Sequence, residues 1–186
     1  MKGPMMIARL IVKDFVKHHV SLIVGLFYGD IWKLRALCRR RKKAFGFRYF
    51  LYTSYFEQYG AWIGLGADLD PSIVWPHGYF GVFISSSAVI GKNTIIFQQV
   101  TIGSNRIGKD NSHVGGPVVG ANVCIGVGAK IIGEVRIGDD ARIGAGCVVV
   151  KDVPANATAV SSGIRIIEHA EPRDNTFVPN DWGASA

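Results

Sequence analysis

Large apolar residues recur in this chain at a spacing of six, in three blocks within which the step never varies. Thirteen positions follow the pattern: Ile63, Leu69, Trp75; Ile84, Ile90, Ile96, Ile102; Val119, Ile125, Ile131, Ile137, Ile143 and Val149. Seven are followed directly by glycine: Gly64, Gly91, Gly103, Gly120, Gly126, Gly138 and Gly144. The residue two positions earlier is small or apolar with few exceptions, and residues two apart on a strand point to the same face. Each hexad therefore predicts a short strand with two inward side chains, followed by a corner.

Short strands at a fixed period indicate a β-solenoid. An α-helix would need apolar positions at i, i+3, i+4 and i+7, which the hexads lack. One coil cannot bury its own faces, so stacked coils must form the core. Three hexads form a coil of about 18 residues, and the sequence therefore predicts about four coils. We attribute the glycines to corners that require a positive φ, which glycine adopts without steric cost.

The period is broken twice, and each break contains a histidine. Between Trp75 and Ile84 the spacing is nine, and His77 lies in this segment. Between Ile102 and Val119 the spacing is 17, which predicts an extruded loop over residues 104–117 containing His113. Insertions in solenoids leave the core and project from one face, often the binding face. After Val149 we expect Pro154 to end the coil, and residues 168–186, which have no period, to be irregular.

The formal net charge of +7 is concentrated before the repeat. Residues 1–60 contain twelve Lys or Arg against three Asp or Glu, whereas residues 61–186 contain nine against eleven. The basic run Arg39 to Lys43 is interpreted either as a solvated face or as a contact with an anionic membrane surface. Aromatic residues follow the run without a recognised nucleic-acid motif, so no nucleic-acid partner is expected.

The apolar stretch from Met5 to Trp32 predicts one or two helices. Charged residues interrupt it, and a bilayer-crossing segment needs about 20 consecutive apolar residues, so no transmembrane helix is expected. It also lacks a small-residue cleavage site after a clean apolar core, so no signal peptide is predicted. We expect a cytoplasmic protein, with a peripheral position on the inner face of the membrane left open.

Two segments carry a resemblance to a known family. HGYFGVFISSSAVIGKNTIIFQQVTIG, from His77, and GANVCIGVGAKIIGEVRIGDDARIGAGCVVVKDVP, from Gly120, resemble hexapeptide-repeat acyltransferases. They are most similar to the serine O-acetyltransferase branch, which includes sugar O-acetyltransferases of bacterial surface-polysaccharide pathways. The resemblance implies a mainly β protein: a left-handed parallel β-helix over 61–167, with a short helical segment at 1–60 and a tail at 168–186. It also implies a homotrimer that uses acetyl-CoA and no metal.

Both histidines are candidate catalytic residues. Transfer of acetyl to a hydroxyl needs a base that works near neutral pH, and histidine suits this task. His77 matches the catalytic histidine of the family, and His113 resembles a second histidine of the serine enzymes in a shifted position. Those enzymes have an acid directly before the catalytic histidine, where this chain has Pro76. Asp68, Asp70 or a backbone carbonyl is expected to orient the ring.

The resemblance also places acetyl-CoA in a groove between neighbouring solenoids. It implies backbone contacts at Val127 and Ala145, a basic side chain near the nucleotide phosphates at Arg142, and passage of the pantetheine arm near Ser104.

Three classes of function remain open. The first is an acetyl-CoA-dependent O-acetyltransferase acting on a sugar or surface-polysaccharide precursor, which we place first. The second is a serine O-acetyltransferase of cysteine biosynthesis. The third is a non-acylating solenoid, either a metal enzyme of the γ-carbonic-anhydrase type or an inert scaffold. The metal version needs three converging histidines, and only His77 and His113 lie near the repeat.

Overall fold

The computed structural model describes residues 15–16, 18–40, 46–105 and 115–161. Its described part contains three helices, α1 (Val20–Tyr28), α2 (Ile31–Arg40) and α3 (Phe47–Glu57). Thirteen short strands follow: β1 (Trp62–Ile63), β2 (Asp68–Leu69), β3 (Phe83–Ile84), β4 (Val89–Ile90), β5 (Ile95–Ile96), β6 (Thr101–Gly103), β7 (Val118–Val119), β8 (Cys124–Ile125), β9 (Lys130–Ile132), β10 (Arg136–Ile137), β11 (Arg142–Ile143), β12 (Val148–Val149) and β13 (Thr158–Ala159).

The strands form three parallel sheets that the chain visits in turn. Sheet 1 contains β1, β3, β6, β9 and β12, sheet 2 contains β2, β4, β7 and β10, and sheet 3 contains β5, β8, β11 and β13. Equivalent hexads pair in register, so that Ile102 lies opposite both Ile84 and Ile131. This is a left-handed parallel β-helix, and the predicted fold class is confirmed.

The solenoid has five coils rather than the predicted four, because the chain continues past Pro154. Val153 bridges to Ile137 in sheet 2, and β13 pairs with β11 in sheet 3. At the equivalent corner one coil earlier, the N–H of Gly138 donates to Val153 O at 2.8 Å. Among the described residues no sixth coil lies beyond Pro154 to accept such a bond. The absence of an N–H on Pro154 therefore leaves no hydrogen bond to a further coil unmade. The prediction that Pro154 ends the coil is wrong.

The predicted inward positions form the core. Eleven of the thirteen hexad residues are buried, and the two others, Leu69 and Trp75, are half-buried in the first coil. All thirteen residues two positions earlier are buried as well. Complete burial of an isoleucine contributes about 1.5–3 kcal/mol, so the repeated column is the main source of stability of the coils.

The predicted reason for the corner glycines is wrong. None of the seven has a positive φ. At five of them (Gly64, Gly91, Gly120, Gly126 and Gly138), the backbone of the next coil instead passes too close for a side chain. A Cβ on Gly126 would lie 2.7 Å from the backbone nitrogen of Ala145. Positive φ values occur two residues later in the same corners as Gly91, Gly120 and Gly138. They belong to Asn93, Asn122 and Asp140, whose side chains are linked by hydrogen bonds of 3.2 Å.

The three helices pack on one another and on the first coil. α1 lies within the stretch before Trp32 where one or two helices are predicted, and α2 and α3 follow it. Asp30 starts α2 by accepting a hydrogen bond from the N–H of Lys33 at 2.7 Å, as an N-cap does. Tyr52 of α3 donates its O–H to Ile63 O at 2.8 Å and so ties the helices to β1. Among the described residues, no helix combines the length and apolar character needed to cross a membrane.

Candidate active site

The corner that contains His77 is built from two turns instead of one. A regular corner such as Gly126 to Ala129 closes with one hydrogen bond, from Ala129 N to Gly126 O at 3.2 Å. Here Gly78 N donates to Trp75 O at 3.1 Å, and Val82 N then donates to Tyr79 O at 3.0 Å. Gly78 has a φ of 67°, which favours glycine. The additional turn carries His77 out of the coil, where it is exposed.

An aromatic cluster supports this enlarged corner from the helical side. Tyr79 contacts Trp75, with ring centroids 5.2 Å apart, and also Phe56 of α3 at 5.2 Å. Trp75 in turn stacks with Trp32 of α2 at 6.3 Å. Burial raises the pKa of Tyr79, consistent with a ring held inside this cluster. Trp75 and Tyr79, each two residues from His77 in the chain, are therefore held in place by contacts with α2 and α3.

The imidazole of His77 is oriented by the next coil. Its Nδ1 lies 2.6 Å from Oε1 of Gln98, and its ring packs edge-on against Phe97 with centroids 5.6 Å apart. An amide oxygen only accepts hydrogen bonds, so in this pairing Nδ1 carries the proton. In the neutral ring Nε2 is then unprotonated, which is the state that a general base requires.

Gln98 corrects the expectation that Asp68, Asp70 or a backbone carbonyl orients the ring. Asp70 instead accepts hydrogen bonds from the hydroxyl and N–H of Ser72, which lower the pKa of its carboxyl. Gln98 lies 21 residues after His77, one 18-residue coil plus the three residues added at the break. The period could therefore have identified it, because stacked corners bring such positions together.

Val127 and Ala145 lie on the same edge of the solenoid as His77. We call this column of corners, residues 76–81, 97–100, 126–129 and 144–147, the His77 edge. Backbone hydrogen bonds run along it, from Gln99 N to Phe80 O (2.8 Å), Gly128 N to Gln98 O (3.0 Å) and Gly146 N to Val127 O (2.8 Å). The N–H groups of Val127 and Ala145 have no backbone acceptor among the described residues. They are available to hydrogen-bond a ligand.

The other residues predicted to contact acetyl-CoA lie outside the corners of the His77 edge. Arg142 is exposed on β11, three residues before Ala145, in the strand that leads to the His77 edge. Ser104 follows β6 and is separated from that edge by the width of sheet 1. Sequence analysis missed Lys130, whose ammonium donates to Gly128 O at 3.2 Å and places a positive charge on the edge. His113 and residues 106–114 around it lie outside the described residues.

The titratable side chains do not assemble into a metal centre in the part of the chain that the structure describes. No three His, Cys, Asp or Glu residues there are placed to hold a metal ion. His77 instead has an amide and an aromatic ring as neighbours. This environment suits proton transfer by a free imidazole.

Part of the β-helix matches a known protein family. Residues 116–151 match the family model described as bacterial transferase hexapeptide (six repeats). Over these residues the β-helix is similar to the hexapeptide-repeat solenoid of bacterial transferases, and its predicted resemblance to the serine O-acetyltransferase branch is confirmed.

The similar proteins are serine acetyltransferases. That of Synechococcus elongatus is 37% identical over 125 residues, covering 65% of this chain and 50% of the relative. That of Helicobacter pylori is 39% identical over 108 residues, covering 58% of this chain and 57% of the relative. The Neisseria gonorrhoeae enzyme, solved in complex with serine, is 34% identical with a TM-score of 0.61, covering 71% of this chain and 52% of that one. The chain spans about half the length of the curated relatives it matches.

Proposed function

We propose that this chain is an acetyl-CoA-dependent O-acetyltransferase with His77 as its general base. The observation that carries the proposal is the exposed imidazole at the enlarged corner, with Nδ1 held by Gln98 at 2.6 Å. Nε2 takes the proton of the acceptor hydroxyl as its oxygen attacks the thioester carbonyl. When the carbon–sulfur bond breaks, the imidazolium returns this proton to the departing thiolate.

Binding of acetyl-CoA is assigned mainly to the His77 edge. The N–H groups of Val127 and Ala145 suit the amide carbonyls of an extended pantetheine arm. Lys130 and Arg142 are exposed cations in strands on either side of this edge, and cations of this kind bind phosphate groups. Ser104 would contact the arm only where it crosses sheet 1. Because two of these contacts are made by backbone, loss of the His77 side chain leaves them intact.

The acceptor is proposed to be the hydroxyl of serine. The relatives with matching solenoids are named serine acetyltransferases, which favours this acceptor over the sugar that the sequence analysis placed first. One observation keeps the sugar hydroxyl as the second candidate. His77 is paired with a neutral amide and preceded by Pro76, so neither of these two positions provides a carboxylate for an amino-acid ammonium group.

A homotrimer is proposed as the active assembly. Phe83 and Val148 point outward from sheet 1, and Phe80 and Val160 are exposed at its border. Exposed apolar residues concentrated on one side of a protein indicate an interaction surface, and a cyclic assembly of copies would cover it. We expect light scattering to give a molar mass three times that of one chain. A fully active monomer would contradict this part of the proposal.

The basic segment is proposed to contact the anionic inner face of a membrane. Leu22, Leu26 and Phe27 of α1 are exposed, and Arg39 and Arg40 are exposed at the end of α2. Cosedimentation with phosphatidylglycerol vesicles, compared with phosphatidylcholine vesicles, tests this idea. The double variant Leu26→Ser/Phe27→Ser is expected to lose vesicle binding. Equal binding by wild type and variant would refute a role for α1.

The reaction itself is tested by following thiol release from acetyl-CoA with a panel of hydroxyl acceptors that includes serine and monosaccharides. We expect serine to accelerate release most. His77→Ala should lower kcat by about 10²–10⁴-fold, the usual contribution of a positioned base, with acetyl-CoA binding nearly unchanged. His113→Ala should act more weakly, mainly on the KM of the acceptor. Near-wild-type turnover by His77→Ala on its best acceptor would refute the assignment of the base.

A further inference from the structure

A pocket lies between α2 and the first coil, and none of its lining residues belongs to the His77 edge. Its volume is about 320 Å³. Trp32, Arg35 and Arg39 line it from α2, and Leu69, Asp70 and Trp75 line it from the coil. Its size is at the small end of the range for ligand pockets, about 300–1,000 Å³. We infer that it binds a small carboxylate with a flat apolar body, a function beyond the proposed acetyl transfer.

Two guanidinium groups provide the charge for this ligand. Arg35 is only 6% exposed, and its Nη2 donates to the carbonyls of Leu65 (3.3 Å) and Ala67, whereas its buried Nε has no partner. Burial lowers the pKa of Arg35, since desolvation disfavours its charged form. Arg39 is exposed, and its contact with Ala67 O is long, at 3.5 Å. Most of its donors therefore have no partner within the described residues.

These two cations have no direct carboxylate partner among the described residues. Within the described residues, no carboxylate lies within 4.0 Å of either guanidinium, and Asp68 acts on Arg35 only through space. Asp70 lines the pocket and carries a negative charge, but its carboxylate accepts hydrogen bonds from Ser72 at 2.6 and 2.9 Å rather than from an arginine. A bound carboxylate would supply a direct partner for the arginines, which pair with carboxylates through two parallel hydrogen bonds.

Two indole rings determine the shape of the rest of the ligand. Trp32 and Trp75 lie nearly parallel, with centroids 6.3 Å apart and an interplanar angle of 22°. The Arg35 guanidinium lies 5.9 Å from the Trp32 centroid, so charge and aromatic surface meet at one end of the pocket. A single aromatic ring carrying a carboxylate matches this combination of surfaces and the volume.

The test uses benzoate as the probe, with tryptophan fluorescence and calorimetry as readouts on the full chain. Wild type should bind benzoate saturably, and neutral benzyl alcohol at least about tenfold more weakly, since the charge-assisted bonds are lost. Arg39→Ala should weaken benzoate binding by about tenfold. Arg40→Ala is the matched control, because Arg40 is the neighbouring exposed arginine of α2 and does not line the pocket.

The same titration separates this site from the active site. His77→Ala should bind benzoate as wild type does, whether or not it transfers acetyl groups. The inference is overturned if benzyl alcohol binds as tightly as benzoate, if Arg39→Ala and Arg40→Ala behave alike, or if acetyl-CoA displaces the probe competitively. Circular dichroism of each variant verifies that the helices remain folded.

Discussion

The regular coils and the region before them are stabilised in different ways. From Val82 to Ala159, one pattern of buried residues repeats, and each coil contacts only its neighbours. From Val20 to Tyr79, the structure depends on irregular aromatic packing between α2, α3 and the first coil. His77 lies where the two regions meet. Solenoid ends need a cap, and here the cap also supports the corner that carries the candidate base.

The largest effect on stability is expected in the regular coils. Ile125→Ala removes a fully buried side chain of the central column and should lower the free energy of unfolding by about 2–5 kcal/mol, because a cavity remains. Urea unfolding measures this loss. The kcat of the folded protein should stay near that of wild type, and a large fall in kcat would show that the two regions are not separable.

A substitution in the helices that cap the first coil should lower stability less, and kcat more, than Ile125→Ala does. Phe56→Leu should cost less stability, about 2 kcal/mol, because only part of the ring is lost. It also removes the contact that holds Tyr79, so kcat should fall by about tenfold through misplacement of the His77 corner. Steady-state kinetics on both variants makes the comparison. An unchanged kcat in Phe56→Leu would mean that the cap does not support the corner.

The contact between His77 and Gln98 gives a prediction confined to the active site. Gln98→Ala should lower kcat by about tenfold, or about 1.4 kcal/mol, because the ring loses its orienting partner. Gln98→Glu should restore much of the rate and move the acid limb of the pH–rate profile to higher pH, since a carboxylate favours the protonated imidazole. A profile that does not move would indicate that Gln98 does not contact the ring during turnover.

The smallest effect is expected at the link between helices and coils. Tyr52→Phe removes the hydrogen bond to Ile63 O while keeping the ring, which should cost about 1 kcal/mol of stability. Burial raises the pKa of Tyr52 to about 12, so this hydroxyl remains a donor at neutral pH. Urea unfolding measures the cost, and Tyr52→Leu should cost more because it also removes the packed ring.

The amino-acid sequence by itself determined the β-helix, its inward residues and the position of His77. A period of six states directly which side chains share a face, and a break in that period shows where the chain must leave the coil. The thirteen predicted positions and the enlarged corner after Trp75 could be found for this reason. The fifth coil was missed because Val153 follows Val149 by four residues instead of six, and because β13 carries a small inward residue, Ala159, in place of a large one.

The tertiary structure alone decided the partner of His77, the role of the helices and the arginine pocket. Gln98 contacts the ring because coils stack, and Phe56 and Trp32 contact the corner because the helices fold back on the first coil. The same holds for five of the seven corner glycines, which are required by the approach of the next backbone rather than by their own φ. The period indicates which corners stack, as it does for His77 and Gln98, but it contains no information about which atoms meet there or about how the helices fold back on the first coil.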